Sequence, residues 1–329
     1  MFKKVSLTII VTIVSVIMAS GWGAWGHKHI GRGAVLALPP EMGVFYYNHI
    51  DFITEGSVVP DLRRGVLNDK AESPRHFIDV EDFKVDSVKA LPKTWKELNA
   101  KYDSAFLQKG GTLPWHIQTL MDKLTAAFKK RSRSEIVFIS AELSHYIGDA
   151  HVPLHSTTNY DGQLSDQKGI HSLWESQIPE LFGNAYDFSP APVRFIDNIN
   201  DEIFNIIDES HRLSEITLAV ERILKNKTKN EKIFQVKAPG DTSKTLAKRT
   251  VEYAKSYEEA LNGMVEKQMK LSIIDVSNFW YTAWVNAGKP GLSSLDDAHL
   301  TNQNRKNYNR ELKAFKKGRI NNLDVVKED

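Results

Sequence analysis

Apolar residues recur at three- and four-residue spacings along most of the chain. Between Ser134 and His151, the residues Ile136, Val137, Ile139, Leu143, Tyr146 and Ile147 follow a 3.6-residue repeat, which predicts a helix with one face toward a core. The same pattern runs through Gln118–Lys130, Glu202–Lys225 and Thr245–Ile273. A last predicted helix, Ser277–Asn286, carries Trp280 and Trp284 and stops before Gly288, Lys289 and Pro290. Period-two alternation is scarce. The expected fold class is therefore all-α, a single-domain helical bundle. Pro39, Pro40, Gly110, Gly111 and Pro190–Pro192 mark loops rather than a domain boundary, and no internal repeat is present.

The one apolar run without helical amphipathicity is at the start. Lys3 and Lys4 precede Leu7–Met18, and Ala19, Ser20 and Gly21 then supply the small residues of a cleavage site. The run falls short of the roughly 20 residues that span a bilayer. Residues 1–21 are thus expected to be a signal peptide, cut after Gly21, leaving Trp22 first in an exported protein, periplasmic or extracellular. Residues 22–290 would form the functional domain and 291–329 a polar, partly basic tail. From Arg305 to Arg319 that tail is rich in Lys and Arg, with Glu311 as its only acid, and reads as a solvated face or frayed end.

Composition narrows the chemistry. The 329 residues hold 43 Lys+Arg against 41 Asp+Glu, a balance that excludes a strongly basic nucleic-acid wrapper and an acidic disordered tail protein. Loss of Lys3 and Lys4 leaves the two signs equal, so an anionic substrate needs a local positive source such as a bound metal. There is no Cys. Disulfide staples, thiolate zinc sites and a cysteine nucleophile are excluded, and any metal must be held by His, Asp, Glu or backbone groups.

Those groups occur at ligand spacing. His145 and Asp149 sit four apart on a predicted helix, which puts both side chains on one face. His171 and Glu175 repeat the arrangement. His155 lies between the pairs, and Pro153 disfavours helix at Val152, so the chain turns there and carries His155 back toward the same place. Upstream, His27, Asp61 and His76 add further donors. Imidazole with carboxylate and no thiolate suits zinc with positions left for water.

The run from His145 to His155, H-x3-D-x5-H, followed by His171 and Glu175 as H-x3-E, resembles the signature of the superfamily that unites single-strand-specific zinc nucleases with zinc-dependent phospholipases C. Trp22 to His27 is similar to that family's mature N-terminus, whose first residue, a Trp, chelates zinc through its free amine and carbonyl. The resemblance extends from Trp22 to about Phe182, and more faintly to Trp280 and Trp284. It implies an all-α fold of the phospholipase C and zinc nuclease type and three zinc ions: Asp61, His76 and His145 on the first, His155, His171 and Glu175 on the second, Trp22 and His27 on the third, with Asp149 bridging the first and third. It also implies a phosphoesterase in which metal-activated water attacks phosphorus, with Asp149 and Arg64 as the catalytic residues and Arg64 on the phosphate.

The resemblance divides over the ester. Phe77 and Asp79 match an aromatic residue and an acid that hold a base in the nucleases, which favours single-stranded nucleic acid or nucleotides as substrate. The short segment from His155 to His171 lacks the nucleases' Gly-Gly-Asn element and resembles the phospholipases. The expected activity is a secreted nuclease or nucleotidase. The alternatives are a phospholipase C acting on phospholipid and a non-catalytic zinc-binding protein, and no obligate protein partner is implied. Outside the motif, His29 is expected at the surface, and His151 in a supporting or exposed place. His49, His116, His211 and His299 are expected to be structural. Asp82 is expected to orient a ligand or the attacking water, or to cap a helix, and Trp25, Trp115, Trp174, Trp280 and Trp284 are expected to form core or pocket wall.

Overall fold

The computed structural model describes residues 22–235, 248–296 and 298–320. Residues 1–21, the expected signal peptide, lie outside them, as does the side chain of His299. The fold is all-α. Among the described residues β-structure amounts to isolated bridges, Ile78 with Gly111 and Phe234 with Arg249. No helix among them is long and apolar enough to cross a membrane.

The chain opens with α1 (Gly23–Ala37), α2 (Pro40–Asn48), α3 (Ile50–Gly56) and α4 (Val59–Gly65). Short 3-10 turns lead to α5 (Trp95–Lys101), α6 (Ser104–Gly110), α7 (Leu113–Lys130) and α8 (Arg133–Ala150). α9 (Ile170–Ser172), a π-helical turn over Leu173–Gln177, and α10 (Ile178–Phe182) follow as one winding segment. The remainder is α11 (Ile199–Lys227), α12 (Val251–Ala260), α13 (Met264–Asn286) and α14 (Ala298–Phe315).

α8 and α13 form the centre. α8 packs on α1, α3, α7 and α13, and α13 packs on α1 and α7. On α8 the predicted stripe of Ile136, Val137, Ile139, Leu143, Tyr146 and Ile147 is buried. Trp280 of α13 stacks on Tyr46 of α2 with centroids 5.0 Å apart and donates its indole N–H to the Ser140 carbonyl of α8. The other expected core tryptophans Trp115, Trp174 and Trp284 are buried, while Trp25 is half-buried.

Four expectations are corrected. The pattern read as one helix over Thr245–Ile273 breaks at Asn262 and Gly263, both at positive φ, 52° and 76°. That left-handed turn ends one helix and starts the next. Beyond it α13 runs through Ser277 without the expected boundary, because Ser277 bonds back to the Ile274 carbonyl within the helix. Thr245 itself lies outside the described residues. The segment Arg305–Arg319 is not frayed. α14 packs on α2, burying Tyr308 and Phe315, while Glu311 accepts hydrogen bonds from Tyr47 at 2.7 Å and Arg32 at 2.6 Å. One apolar residue per turn or two suffices for a seam when the acid is paired, which is why the basic composition concealed it. His29 is buried as well, stacked on Trp25 and bonded to its carbonyl at 2.7 Å, because α1 is enclosed by α3, α8 and α13.

Candidate metal centre

α8 brings His145 and Asp149 to one buried face, as their four-residue spacing requires. Its end at Ala150 is followed by the 3-10 turn Pro153–Ser156, which folds His155 back beside Asp149. That turn is held by the His211 imidazole, whose Nδ1–H donates to the Ser156 carbonyl at 2.8 Å. Ile78 N–H donates to the His155 carbonyl at 2.9 Å and thereby ties the 3-10 turn Ser73–His76 to the same place. α4 contributes Asp61, α1 contributes His27, and the π-helical turn carries Glu175 four residues after His171.

The eight side chains expected as ligands, all but Trp22's main-chain groups, come together around Asp149. Its Oδ2 lies 2.9 Å from His76 Nδ1 and 3.2 Å from His145 Nε2; its Oδ1 lies 3.4 Å from His27 Nε2 and 3.7 Å from His155 Nδ1. Asp61 Oδ1 stands 3.7 Å from His76 Nδ1 and 3.9 Å from His145 Nε2. Glu175 Oε2 is 2.9 Å from His171 Nε2 and 3.3 Å from His155 Nε2. Three groups have donor atoms close enough to share an ion: His27, His145 and Asp149; Asp61, His76 and His145; His155, His171 and Glu175.

The donor set fits divalent zinc on a physical ground. His27 Nε2, Asp61 Oδ1, Asp149 Oδ1, His155 Nδ1, His171 Nε2 and both Glu175 oxygens are buried without a hydrogen-bond partner. Such atoms are costly unless something else satisfies them. The His171–Glu175 contact is short yet not aligned as a hydrogen bond, so these atoms converge on a point between them rather than on each other.

Electrostatics agree. Burial lowers the pKa of His27, and its neighbour His145 lowers it further. Burial also acts against a charged His145, but Asp149 and Asp61 outweigh it and raise that imidazole. Asp149 is deeply buried, yet His145 and His155 hold it well below the usual carboxylate range. Burial brings His171 down to about 4, with Arg64 adding to the effect, and pushes Glu175 up to about 8, with Asp149 and Asp61 adding to it. A raised Glu175 beside a lowered His171 marks that group as short of positive charge, whereas at Asp149 the surrounding imidazoles supply it.

Trp22 caps α1. Its carbonyl accepts from Gly26 N–H at 3.1 Å, and its indole donates to the Gly148 carbonyl at 2.7 Å, one residue before Asp149. A Cβ on Gly148 would stand 3.3 Å from both His27 Nδ1 and Trp22 Cδ1, so a glycine there admits the two side chains. Arg64 Nη2 lies 3.2 Å from Asp61 Oδ1. The centre is least covered at this edge: the side chains of Arg64, His171 and Asp61 are 21%, 14% and 7% exposed, whereas those of His27, His76, His145, Asp149 and Glu175 are fully buried.

Phe77 and Asp79 lie on the strand-like segment beyond His76. Phe77 is half-buried and packs on Gly111, which bridges to Ile78. Asp79 is pushed up to about 7 by burial, then by Asp82 and Glu81, and Asp82 pairs with Lys109. His151 is buried against Asp275 of α13 at 2.9 Å, and His49 pairs with Asp296 at 2.9 Å. His116 is half-buried edge-on to Tyr146.

Several supporting residues had no place in the motif. Buried Glu72 accepts from Tyr146 and from Arg63 Nε at 2.9 Å, and its Oε1 lies 3.5 Å from His76 Nε2. It precedes His76 by four residues, the same spacing that singles out the other pairs. The Ser57 carbonyl accepts from His145 Nδ1 at 2.8 Å. Asp161 Oδ1 accepts the His171 N–H at 3.3 Å and the Gly169 N–H at 2.9 Å, fixing the start of α9. Such partners set which ring nitrogen faces the metal.

No curated protein matches the chain. A family model described as zinc dependent phospholipase C matches residues 26–235, which span His27 to Glu175 and so every side chain of the cluster. The helical fold and that match together place this chain in the zinc dependent phospholipase C family.

Proposed function

We propose that the protein is a zinc-dependent phospholipase C that hydrolyses the phosphodiester of a phospholipid head group. The observation that carries this is the convergence of three histidine–carboxylate groups on Asp149, in a chain whose family is defined by zinc and phospholipid. Asp61, His76 and His145 would hold one ion and His155, His171 and Glu175 a second. His27, Asp149 and the main-chain amine and carbonyl of Trp22 would hold a third. When bound, zinc supplies Lewis acidity, neutralising phosphate oxygens and lowering the pKa of water toward neutrality.

The chain's own residues do the rest. Asp149 turns one oxygen toward His76 and His145 and the other toward His27 and His155, so it fixes the spacing of the two sides. Arg64 stands at the least covered edge, where its fork can take a non-bridging phosphate oxygen and spread the charge that builds on it. Asp61 holds that guanidinium in place at 3.2 Å. The buried walls exclude bulk water from all other directions. Release of the Trp22 amine requires removal of residues 1–21, which ties activity to export to the periplasm or beyond.

The family favours the lipid ester over the nucleic-acid ester that Phe77 and Asp79 suggest from sequence. The deciding experiment offers the chain beginning at Trp22 phosphatidylcholine, single-stranded DNA and RNA in parallel, with and without a chelator. Release of phosphocholine that stops on chelation is the expected result. Cleavage of nucleic acid with intact lipid would overturn the assignment, and bound zinc without turnover of any ester would make the protein a non-catalytic binder.

A further inference from the structure

The uncovered edge of the centre is bordered by large apolar side chains in water. On α4, Asp61 faces inward and Arg64 stands at the edge, while Leu62 between them is half exposed. Val59, Leu62 and Val66 recur at three and four residues, one outer face of that turn of helix. Val59 also lines a groove of about 210 Å³ with Phe52, Phe138 and Ala141. Just past α4, Leu67 is 73% exposed. It is not on a loose end: its N–H donates to the Leu62 carbonyl at 3.2 Å, Asp69 N–H returns to the Arg63 carbonyl at 3.1 Å, and Asn68 takes a left-handed φ of 51°.

A second built turn flanks the same edge. Between His155 and His171, the Asn159 carboxamide accepts from Leu164 N–H at 2.8 Å and donates to Ser165 Oγ at 2.9 Å, and Gly162 turns at φ 67°. This polar scaffold presents Leu164, also 73% exposed, while the half-exposed Tyr160 lies edge-on to His171 with centroids 6.0 Å apart. Two hydrogen-bonded turns hold leucines in water, one following Arg64 and the other carrying Tyr160 against His171, and exposed apolar side chains grouped beside a site are of the kind that marks an interaction surface.

We propose that Leu62, Val66 and Leu67 on one side and Tyr160 and Leu164 on the other form the surface by which the enzyme sits on a zwitterionic phospholipid bilayer. The inference rests on the phospholipase assignment and adds to it how the substrate is reached. A phosphodiester seated at Arg64 leaves its acyl-bearing half outside the opening, where these side chains stand, whereas a soluble nucleotide gives leucine and valine there no partner. Charge selects the kind of membrane. On the first turn Arg63 is paired with Glu72 and Glu142 and Arg64 with Asp61, and Asp69 lies beside Lys70; on the second Asp166 is paired with Lys225 at 3.0 Å, so neither turn offers the cationic excess that anionic head groups attract. Attachment is by apolar insertion near the head-group boundary, with Tyr160 at the level where amphipathic rings reside.

The test compares the wild-type chain beginning at Trp22, loaded with zinc, with the double variant Leu67→Glu and Leu164→Glu. Three readouts are taken: sedimentation with phosphatidylcholine vesicles, hydrolysis of those vesicles, and hydrolysis of the soluble ester nitrophenyl phosphorylcholine. The expected result is at least a tenfold loss of vesicle binding and vesicle hydrolysis in the variant, with the soluble ester cut within twofold of wild type and vesicle binding insensitive to salt. Unchanged vesicle binding and hydrolysis in the variant would overturn the docking surface, as would a wild type that never sediments with vesicles. A wild type that binds vesicles but cuts neither ester overturns the phospholipase assignment alone, and sedimentation of the variant then still decides the docking surface.

Discussion

His76 Nδ1 lies 3.0 Å from His145 Nε2. The His145 Nδ1–H is spent on the Ser57 carbonyl, so in the neutral ring Nε2 carries a lone pair that faces a neighbouring imidazole and the carboxylate of Asp149. A cation between them resolves the contact. Asp149 faces His76 and His145 with one oxygen and His27 and His155 with the other, whereas His171 belongs to one ligand group. Asp149→Ala is therefore expected to lose more zinc per chain than His171→Ala, as measured by atomic absorption after dialysis, and equal losses would contradict the shared role.

Glu72 sits behind His76 in a network with Tyr146, Arg63 and Arg75. Burial acts against its charge, but the nearby His76 imidazole and the bonds from Tyr146 and Arg63 hold the carboxyl below its ordinary range. Glu72→Gln removes the negative charge that orients the ring. Zinc affinity should fall about 10–100-fold, the usual cost of losing such a partner. Competition against a chelator of known affinity measures this, and an unchanged constant would show that His76 needs no such support.

The Trp22 amine is free only when nothing precedes it. A chain that retains Gly21 should bind less zinc than one starting at Trp22 and hydrolyse its ester more slowly, while its helical circular dichroism is unchanged, because the indole bond to Gly148 does not depend on the amine. Equal metal content and activity in the two chains would remove Trp22 from the ligand set.

Asp79 gives a pH test. Its folded-state pKa is raised from 3.8 to about 7 by burial, then by Asp82 and Glu81. Stability tied to the neutral form is fully present below pH 3.8 and is lost as pH rises through about 7. Asp79→Asn does not ionise, so in the zinc-free protein it should gain on wild type across that window. The Tm difference should be small near the acid end and roughly 2–4 °C at alkaline pH. A difference that does not vary with pH would mean that this carboxyl is solvated.

Phe315 is fully buried where α14 meets the bundle. Phe315→Ala should destabilise the protein by about 3–5 kcal/mol, the range for emptying a packed aromatic site. Urea unfolding measures it, and a loss below about 1 kcal/mol would return α14 to the status of a solvated tail.

The sequence made most of the centre legible because a helix converts spacing into direction: His145 with Asp149, and His171 with Glu175, each had to share a face. Pro153 announced the turn that carries His155. Glu72 was missed although it stands four residues before His76, because it lies in a polar stretch with no helical pattern around it. Ser57 acts through its carbonyl and Asp161 through a loop, and neither leaves a periodic trace. The break at Asn262 and Gly263 was hidden inside a run whose apolar spacing continues across it. α14 was hidden for a different reason: its seam needs Arg32 and Tyr47, more than 260 positions away, to accommodate Glu311.

Asp149 divides its two oxygens between the two sides of the centre, and with ions placed as proposed above loading would be a sequential affair. The first ion to settle against one oxygen draws electron density from the other and changes what the next ion meets. Occupancy should then rise in steps of unequal affinity, and depletion by a chelator should pass through a partly filled, catalytically silent species before the apoprotein is reached.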